Sequence, residues 1–237
     1  MARVPRSRLA GWPALVAGAL CALLVAAPAA AQRSGALVVA YTSPTLKRID
    51  ETRVVRLGYR ASSPPFAFVD AAKKPVGYSL DLCEIVVEEI VAELRKDIRA
   101  AYRAVTPEDR FELVSSGKVD LECGSSNNTA ERRNTVAFSP TIFVGGTRLM
   151  VRRGSHILSL RDLNGRTVVL TRGTVHEAAI PKLAERQKLA INFVFAADHQ
   201  LSYQMLAAGK ADAFANDDVQ LYGMLAEMKS AAVFRVI

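Results

Sequence analysis

Apolar and polar residues along this chain fall into short blocks that read alternately as strands and helices. Val54 to Gly58 is an apolar run with β-branched residues, which predicts a buried strand. The loop after it, Arg60-Ala61-Ser62-Ser63-Pro64-Pro65, is built from turn formers. Leu82, Val86, Ile90 and Leu94 recur every four residues and place an apolar stripe on a helix, with Ser79 ahead of it as a cap. Ile98, Ala100, Tyr102 and Ala104 alternate with other residues as a strand does. Pro107 suits the first turn of a helix that ends at Gly117, and Val119 to Leu121 is the next short strand.

The second half repeats this rhythm. Strands are predicted at Thr167 to Leu170, Ile191 to Phe195 and Ala211 to Ala215. Helices are predicted at Val175 to Arg186, Gln200 to Ala208 and Val219 to Met228. Such a succession argues for α/β architecture with mainly parallel sheets and helices on their faces. Ser116-Gly117-Lys118-Val119-Asp120 is echoed by Ala208-Gly209-Lys210-Ala211-Asp212, each following a helix and opening a strand. Glycine C-caps are common enough that the echo alone leaves open whether the two units are related. Between the halves, Gly145-Gly146 reads as a flexible joint and Thr147 to Val151 as an extended crossing strand. A joint of this kind makes a cleft whose walls close by hinge motion.

Charge and cysteines narrow the picture. Arg3, Arg6 and Arg8 precede an apolar run from Leu15 to Ala27 and the small residues Ala29-Ala30-Ala31, the pattern of a cleaved export signal over 1–31. The run is too short for a spanning helix, and Cys21 lacks the preceding small residue that lipid attachment wants. Removing 1–31 lowers the net charge from +8 to +5, and the basic residues are scattered, so no nucleic-acid surface is expected. Residues 32–52 read as a tether or an opening helix. Export would permit a disulfide between Cys83 and Cys123, but two small buried thiols fit the sequence equally well.

Enzyme motifs are absent: there is no nucleophile elbow, no P-loop and no dinucleotide fingerprint. His156, His176 and His199 show no paired ligand spacing, so neither metal nor cofactor is expected. What remains is a set of polar loops after successive strands, where ligands bind in open α/β sheets. They are Arg60-Ala61-Ser62-Ser63, Cys123 to Asn128 with Glu131 and Arg132, Thr171-Arg172-Gly173-Thr174, Asp198-His199 and Asn216-Asp217-Asp218. Together they offer guanidinium forks for carboxylates and a carboxylate for an ammonium, which is what a buried zwitterion requires.

At these residues the chain resembles the family 3 periplasmic amino-acid-binding proteins of ABC transporters, and within them the glutamate/aspartate-binding branch. The resemblance rests on Arg56 to Phe66, Val76-Gly77-Tyr78-Ser79-Leu80-Asp81-Leu82, Asp120-Leu121-Glu122-Cys123-Gly124-Ser125-Ser126-Asn127-Asn128 and Glu131-Arg132. Further matches are Phe138 to Phe143, Gly146 to Leu149, Asp162 to Val169, Gly173-Thr174, Asp198-His199, Gly209 to Phe214 and Asp217-Asp218. It implies a two-lobed, type II Venus-flytrap fold, with lobe 1 over 32–144, lobe 2 over 145–234 and a return hinge strand starting at 235–237. It also implies a monomer in the periplasm that hands an acidic amino acid to membrane permease subunits. Arg110 is favoured over Arg132 for the α-carboxylate, with Ser125 and Asn127 adding contacts. Asp217 would take the α-amino group, Arg60 and His199 would read the side-chain carboxylate, and Thr174 would close the site from the second lobe.

Three positions depart from the family pattern. Pro107 stands where Ser is common and Asn127 where Thr is common. The chain also stops at Phe234-Arg235-Val236-Ile237, short of the segment that completes the first lobe in the family, so an incomplete first lobe is expected. Two other readings remain: a dehydratase on the same fold acting on prephenate or arogenate, for which Glu122 and Glu131 are the nearby spare carboxylates, and a ligand-sensing module.

Overall fold

The computed structural model describes residues 43–237. The expected export signal over 1–31, and the tether up to residue 42, lie outside the described residues. A helix, α1 (Pro44–Thr52), follows directly; the Ser43 hydroxyl accepts from Leu46 N at 3.4 Å and Pro44 opens the first turn.

The first half builds one parallel sheet. Strand β1 (Val54–Arg60) leads into a small antiparallel sheet of β2 (Ser62–Ser63), β3 (Ala67–Val69) and β4 (Pro75–Val76), which occupies the stretch read as loop. Helix α2 (Tyr78–Leu94), strand β5 (Arg99–Val105), helix α3 (Arg110–Ser115) and strand β6 (Leu121–Glu122) follow. The sheet order is β5-β1-β6, all parallel.

Two helix readings need correction. Ser79 is not the cap of α2: it lies in the first turn, and its buried hydroxyl donates to Gly124 O at 2.8 Å. The buried face of α2 is Leu80, Val87 and Leu94 with Cys83 and Ile90 beside them, whereas Val86 is exposed. A strict four-residue repeat drifts round a helix of 3.6 residues per turn, so alternating steps of three and four trace the core-facing side. Helix α3 begins at Arg110 rather than at Pro107. Thr106 N donates to Asp109 Oδ1 at 2.7 Å and Asp109 N to Thr106 Oγ1 at 3.1 Å, a reciprocal clamp that holds residues 106–109 in a turn.

Residues 123–146 contain no strand, only a 3-10 turn at Arg132–Asn134. The second half then forms a five-stranded sheet from β7 (Thr147–Arg152), β8 (Thr167–Thr171), β9 (Asn192–Ala196), β10 (Ala213–Asp217) and β11 (Phe234–Val236), in the order β11-β7-β10-β8-β9. Strands β8, β9 and β10 run parallel, and β7 runs antiparallel to both its neighbours. Helices α4 (Val175–Arg186), α5 (His199–Ala207) and α6 (Asp218–Glu227) cover it. Met150, Val169, Leu206, Phe214, Leu221 and Met224 form one core cluster, and Val151, Val168, Leu170 and Ala213 another.

The repeated Gly-Lys-x-Asp motif does the same work twice. Gly117 and Gly209 turn the chain at φ +67 and +72 just past α3 and α5. Asp120 N then donates to Arg56 O, and Arg56 N donates back to Asp120 Oδ2 at 2.7 Å. Asp212 N likewise donates to Thr167 O, and Thr167 N to Asp212 Oδ2 at 2.8 Å. In each half an aspartate at the strand entrance locks the neighbouring strand's first residues in register. Arg48 of α1 and Arg56 also reach Asp120, at 2.5 and 2.9 Å, fastening α1 to the sheet.

Cys83 and Cys123 form a disulfide, with Cα atoms 6.2 Å apart and 40 residues between them. It joins α2 to the loop that follows β6. A crosslink of this span stabilises by about 2–4 kcal/mol, largely by restricting the unfolded chain. Thermal melts with and without a thiol reductant should therefore differ, the reduced protein unfolding at lower temperature. Cys83→Ala combined with Cys123→Ala should reproduce the reduced melt and remove the effect of reductant.

Candidate functional site

Three guanidiniums converge on one face of the first sheet. Positions 58 and 60 of β1 and 122 of β6 point to the same side of the sheet, towards α3, because side chains alternate along strands. Arg60 therefore ends β1 on that side, 3% exposed. Arg110, the first residue of α3, is 2% exposed. Arg132 comes from the 3-10 turn. Arg110 and Arg132 both lie over the Phe111 ring, with Cζ 4.3 and 4.9 Å from its centroid.

These arginines reach the second half. Arg110 Nε donates to Ser126 Oγ at 2.6 Å, Nη1 to Pro107 O, and Nη2 to Gly173 O at 3.1 Å. Arg132 Nη1 donates to Asn127 O at 3.0 Å and Nη2 to the same Gly173 O at 3.1 Å. Gly173 has φ +69, and a Cβ there would fall 2.5 Å from Pro107 O. The two walls thus meet backbone to backbone at a point only glycine permits. Gly223 of α6 makes a second such approach, its would-be Cβ lying 2.6 Å from Pro64 O.

Asp217 supplies the opposing charge. It stands at the N-cap position of α6 without making a side-chain cap bond. Its Oδ2 instead accepts from Asn127 Nδ2 at 3.2 Å, and Oδ1 lies 3.4 Å from His176 Nε2. Burial pushes the Asp217 carboxyl up, but His176, Asn127 and Arg132 more than offset it and leave its pKa below the usual value. His176 Nδ1 faces Thr147 Oγ1 at 3.3 Å. Strand β7, helix α4 and the start of α6 therefore meet around this one carboxylate.

His199 starts α5 and is 2% exposed. Its Nδ1 lies 2.9 Å from Thr171 Oγ1, which is 2.7 Å from Ser202 Oγ. Burial, then the charges of Arg60, His176 and Arg110, hold its pKa well below 6.5, so it presents a neutral imidazole. Arg110 is lowered to about 9, first by burial and also by Arg60 and Arg132, against the attraction of Glu122; it stays charged at neutral pH.

Of the residues singled out from the sequence, Arg60, Arg110, Asn127, Arg132, His199 and Asp217 come together here. Two are placed otherwise. Ser126, not Ser125, holds Arg110; Ser125 lines a neighbouring cavity of about 710 Å³ with Phe66, Val86, Phe138, Asn127 and Asp217. The Thr174 hydroxyl turns back to donate to Thr171 O at 2.7 Å, and Gly173 N is taken by Glu177 Oε2 at 2.7 Å. Sequence reasoning left Phe111 and His176 out of the site and had Glu122 only as a spare carboxylate for the dehydratase reading. His176 carried a signal in its position directly after Gly173-Thr174-Val175, at a helix start; isolation from other histidines hid it.

Comparison with known proteins places this geometry in context. The family model for bacterial extracellular solute-binding proteins, family 3, matches residues 55–228. An L-glutamate/L-aspartate-binding protein of Pseudomonas aeruginosa is 39% identical over 219 residues, 92% of this chain and 70% of that protein. A glutamate/aspartate import solute-binding protein of Escherichia coli is 37% identical over 94% of this chain and 72% of its own length. Among solved structures, an ABC uptake transporter substrate-binding protein from Streptococcus pneumoniae with bound histidine superposes with a TM-score of 0.74. It is 18% identical, over 83% of this chain and 79% of that one.

The depressed His199 pKa has a signed consequence. The unfolded chain binds a proton at this histidine below pH 6.5 and the folded protein does not. Its contribution to stability is complete above that pH and is lost as pH falls towards the folded value. The melting temperature of the wild type should thus drop more steeply between neutral pH and about pH 5 than that of His199→Gln, as read by thermal melts across that range.

Proposed function

This chain belongs to the bacterial extracellular solute-binding proteins of family 3, with the two-lobed type II periplasmic-binding-protein fold, and we propose that it captures L-glutamate or L-aspartate between its lobes. The observation that carries this reading is the convergence of three arginines from one wall on Asp217 and His199 from the other. Arg60, Arg110 and Arg132 bring three positive charges; Asp217 and Glu122 bring two negative ones. With Asp109 and Asp198 set aside, since their carboxylates hold the backbone N–H groups of Thr106 and Leu201, the site is left with one excess positive charge. An acidic amino acid carries one net negative charge at neutral pH and balances it, where a neutral amino acid would not.

Within that balance we assign the α-carboxylate to Arg132 rather than to Arg110. Arg132 is the arginine that lies next to Asp217: it donates to Asn127 O, and Asn127 donates to the Asp217 carboxylate. Asp217 then accepts the α-ammonium. A zwitterion needs opposite charges one amino-acid backbone apart, and this pair supplies them. We assign Arg110 and Arg60, with His199, to the side-chain carboxylate. Arg60 Nη2 is buried with no hydrogen-bond partner among the described residues, a donor left for a ligand oxygen. Pro107, whose carbonyl accepts from Arg110, fixes that guanidinium without a hydroxyl of its own.

Delivery of the ligand to the permease subunits of an ABC importer in the membrane follows from the same reading, as does a periplasmic monomer exported by the signal at 1–31. The Escherichia coli relative is a glutamate/aspartate import solute-binding protein. The protein binds and releases its ligand without turnover.

Isothermal titration of the full chain against the twenty amino acids tests the proposal. Glutamate and aspartate should bind with micromolar or tighter affinity, and absence of heat with every amino acid overturns it. Loss of a buried partner in a charge pair costs about 2–5 kcal/mol, so Arg132→Ala should weaken glutamate binding at least about 30-fold. Arg60→Gln should instead narrow the gap between glutamate and glutamine.

A further inference from the structure

Glu122 has no part in the account above beyond its charge, yet its surroundings are built around it. It sits on β6, paired in register with Gly58 of β1. Gly58 has no room for a side chain: a Cβ there would meet Val119 at 2.9 Å. Gly124 is equally constrained, since its Cβ would fall 2.2 Å from Glu122 Oε1 and 2.8 Å from Arg60 Cγ. Gly58 makes room for Val119 and Val105 beneath the site, and Gly124 leaves the space that brings Glu122 and Arg60 side by side. Glu122 Oε1 is buried with no hydrogen-bond partner among the described residues, and so is Arg60 Nη2. An unsatisfied acceptor and an unsatisfied donor thus belong to two side chains that both flank Gly124.

The groups facing Glu122 come from every element around it. Arg110 of α3 has the largest influence, followed by the Ser126 hydroxyl, then Arg60 of β1 and Arg132 of the 3-10 turn. Asp109 faces the same arginines, and His199 faces Arg60 from the second lobe. Burial raises the Glu122 pKa against the pull of these cations. Ser126 stands between the two roles, holding Arg110 Nε at 2.6 Å beside the Glu122 carboxyl.

We infer that Glu122 is a specificity-determining residue of the cleft: its carboxylate contests Arg60 and Arg110 with the side-chain carboxylate of the ligand, and so sets how strongly an acidic ligand is preferred over its amide. The inference rests on the acidic-ligand reading of the site. Two carboxylates on one set of guanidiniums repel each other, and the cost of that repulsion falls on glutamate but not on glutamine. Arrival of the ligand carboxylate also favours protonation of Glu122, because one proton relieves the repulsion.

Titration calorimetry of the full chain with glutamate and glutamine tests this directly. In Glu122→Gln the ratio of glutamate to glutamine affinity should rise by about tenfold, the order expected for one charge acting over several ångströms in a partly shielded interior. Equal loss for both ligands would mark Glu122 as a merely structural residue and overturn the inference, as would a falling ratio. If Glu122→Gln fails to give a cooperative melt, the wild type answers instead, in two buffers of different ionisation enthalpy. Glutamate should bind with more proton uptake than glutamine, in His199→Gln as well, which removes the imidazole as a source. Identical uptake for the two ligands overturns the inference. Glutamate binding with an unchanged ratio defeats the role of Glu122 alone, whereas silence with both ligands defeats the reading of the site and this inference with it.

Discussion

The site depends on burying more positive charge than the protein itself neutralises. Arginine keeps its charge under almost any surroundings, so the two buried guanidiniums of Arg60 and Arg110 and the half-buried one of Arg132 must find acceptors or the cleft will not form. The chain meets most of that demand with neutral oxygens. Gly173 O accepts from both Arg110 and Arg132, and Pro107 O, Asn127 O and Ser126 Oγ take further donors. Carbonyls and hydroxyls satisfy hydrogen bonds without cancelling charge. The surplus is left for a ligand, and the two walls are drawn to the same few atoms.

The scaffold serves that arrangement at each step. Parallel strands deliver Arg60 and Glu122 to the same side of the first sheet, and α3 places Arg110 over them. The antiparallel turn of β7 into the second sheet brings Thr147 to His176, and β10 ends at Asp217, directly before α6. Asp218 then ties that helix back to the joint: its backbone N–H donates to Gly146 O at 2.8 Å, and its Oδ1 accepts from Gly146 N at 3.3 Å. The glycine pair read as a flexible joint is therefore anchored by the residue next to Asp217.

Most strands and helices were legible because their apolar patterns are strong and their caps conventional: Asp198 caps α5, and glycines follow α3 and α5. The small sheet β2-β3-β4 was not, since strands of two or three residues have no periodicity to read. The disulfide was left open because pairing depends on α2 crossing behind β6, which spacing does not reveal. Within the site, charged residues in loops after strands stood out. Ser125 and Ser126 could not be told apart, as neighbours in a loop point in directions only the fold decides. Glu122 was visible only as a spare carboxylate, because its meaning lies in the three guanidiniums around it, which come from three separate elements, β1, α3 and the 3-10 turn, rather than from any motif.

The Cys83–Cys123 bond has a consequence beyond the stability of the first lobe. Cys123 directly precedes the segment that carries Gly124, Ser126 and Asn127, so the covalent link ends where the polar loop that holds Arg110 and Asp217 starts. On the other side, the buried Ser79 hydroxyl holds Gly124 O from the same helix. Helix α2 thus grips one jaw of the cleft by a covalent and a hydrogen-bonded handle, a turn apart. Wherever thiols are kept reduced, only the weaker grip remains, and an oxidising medium restores the stronger one.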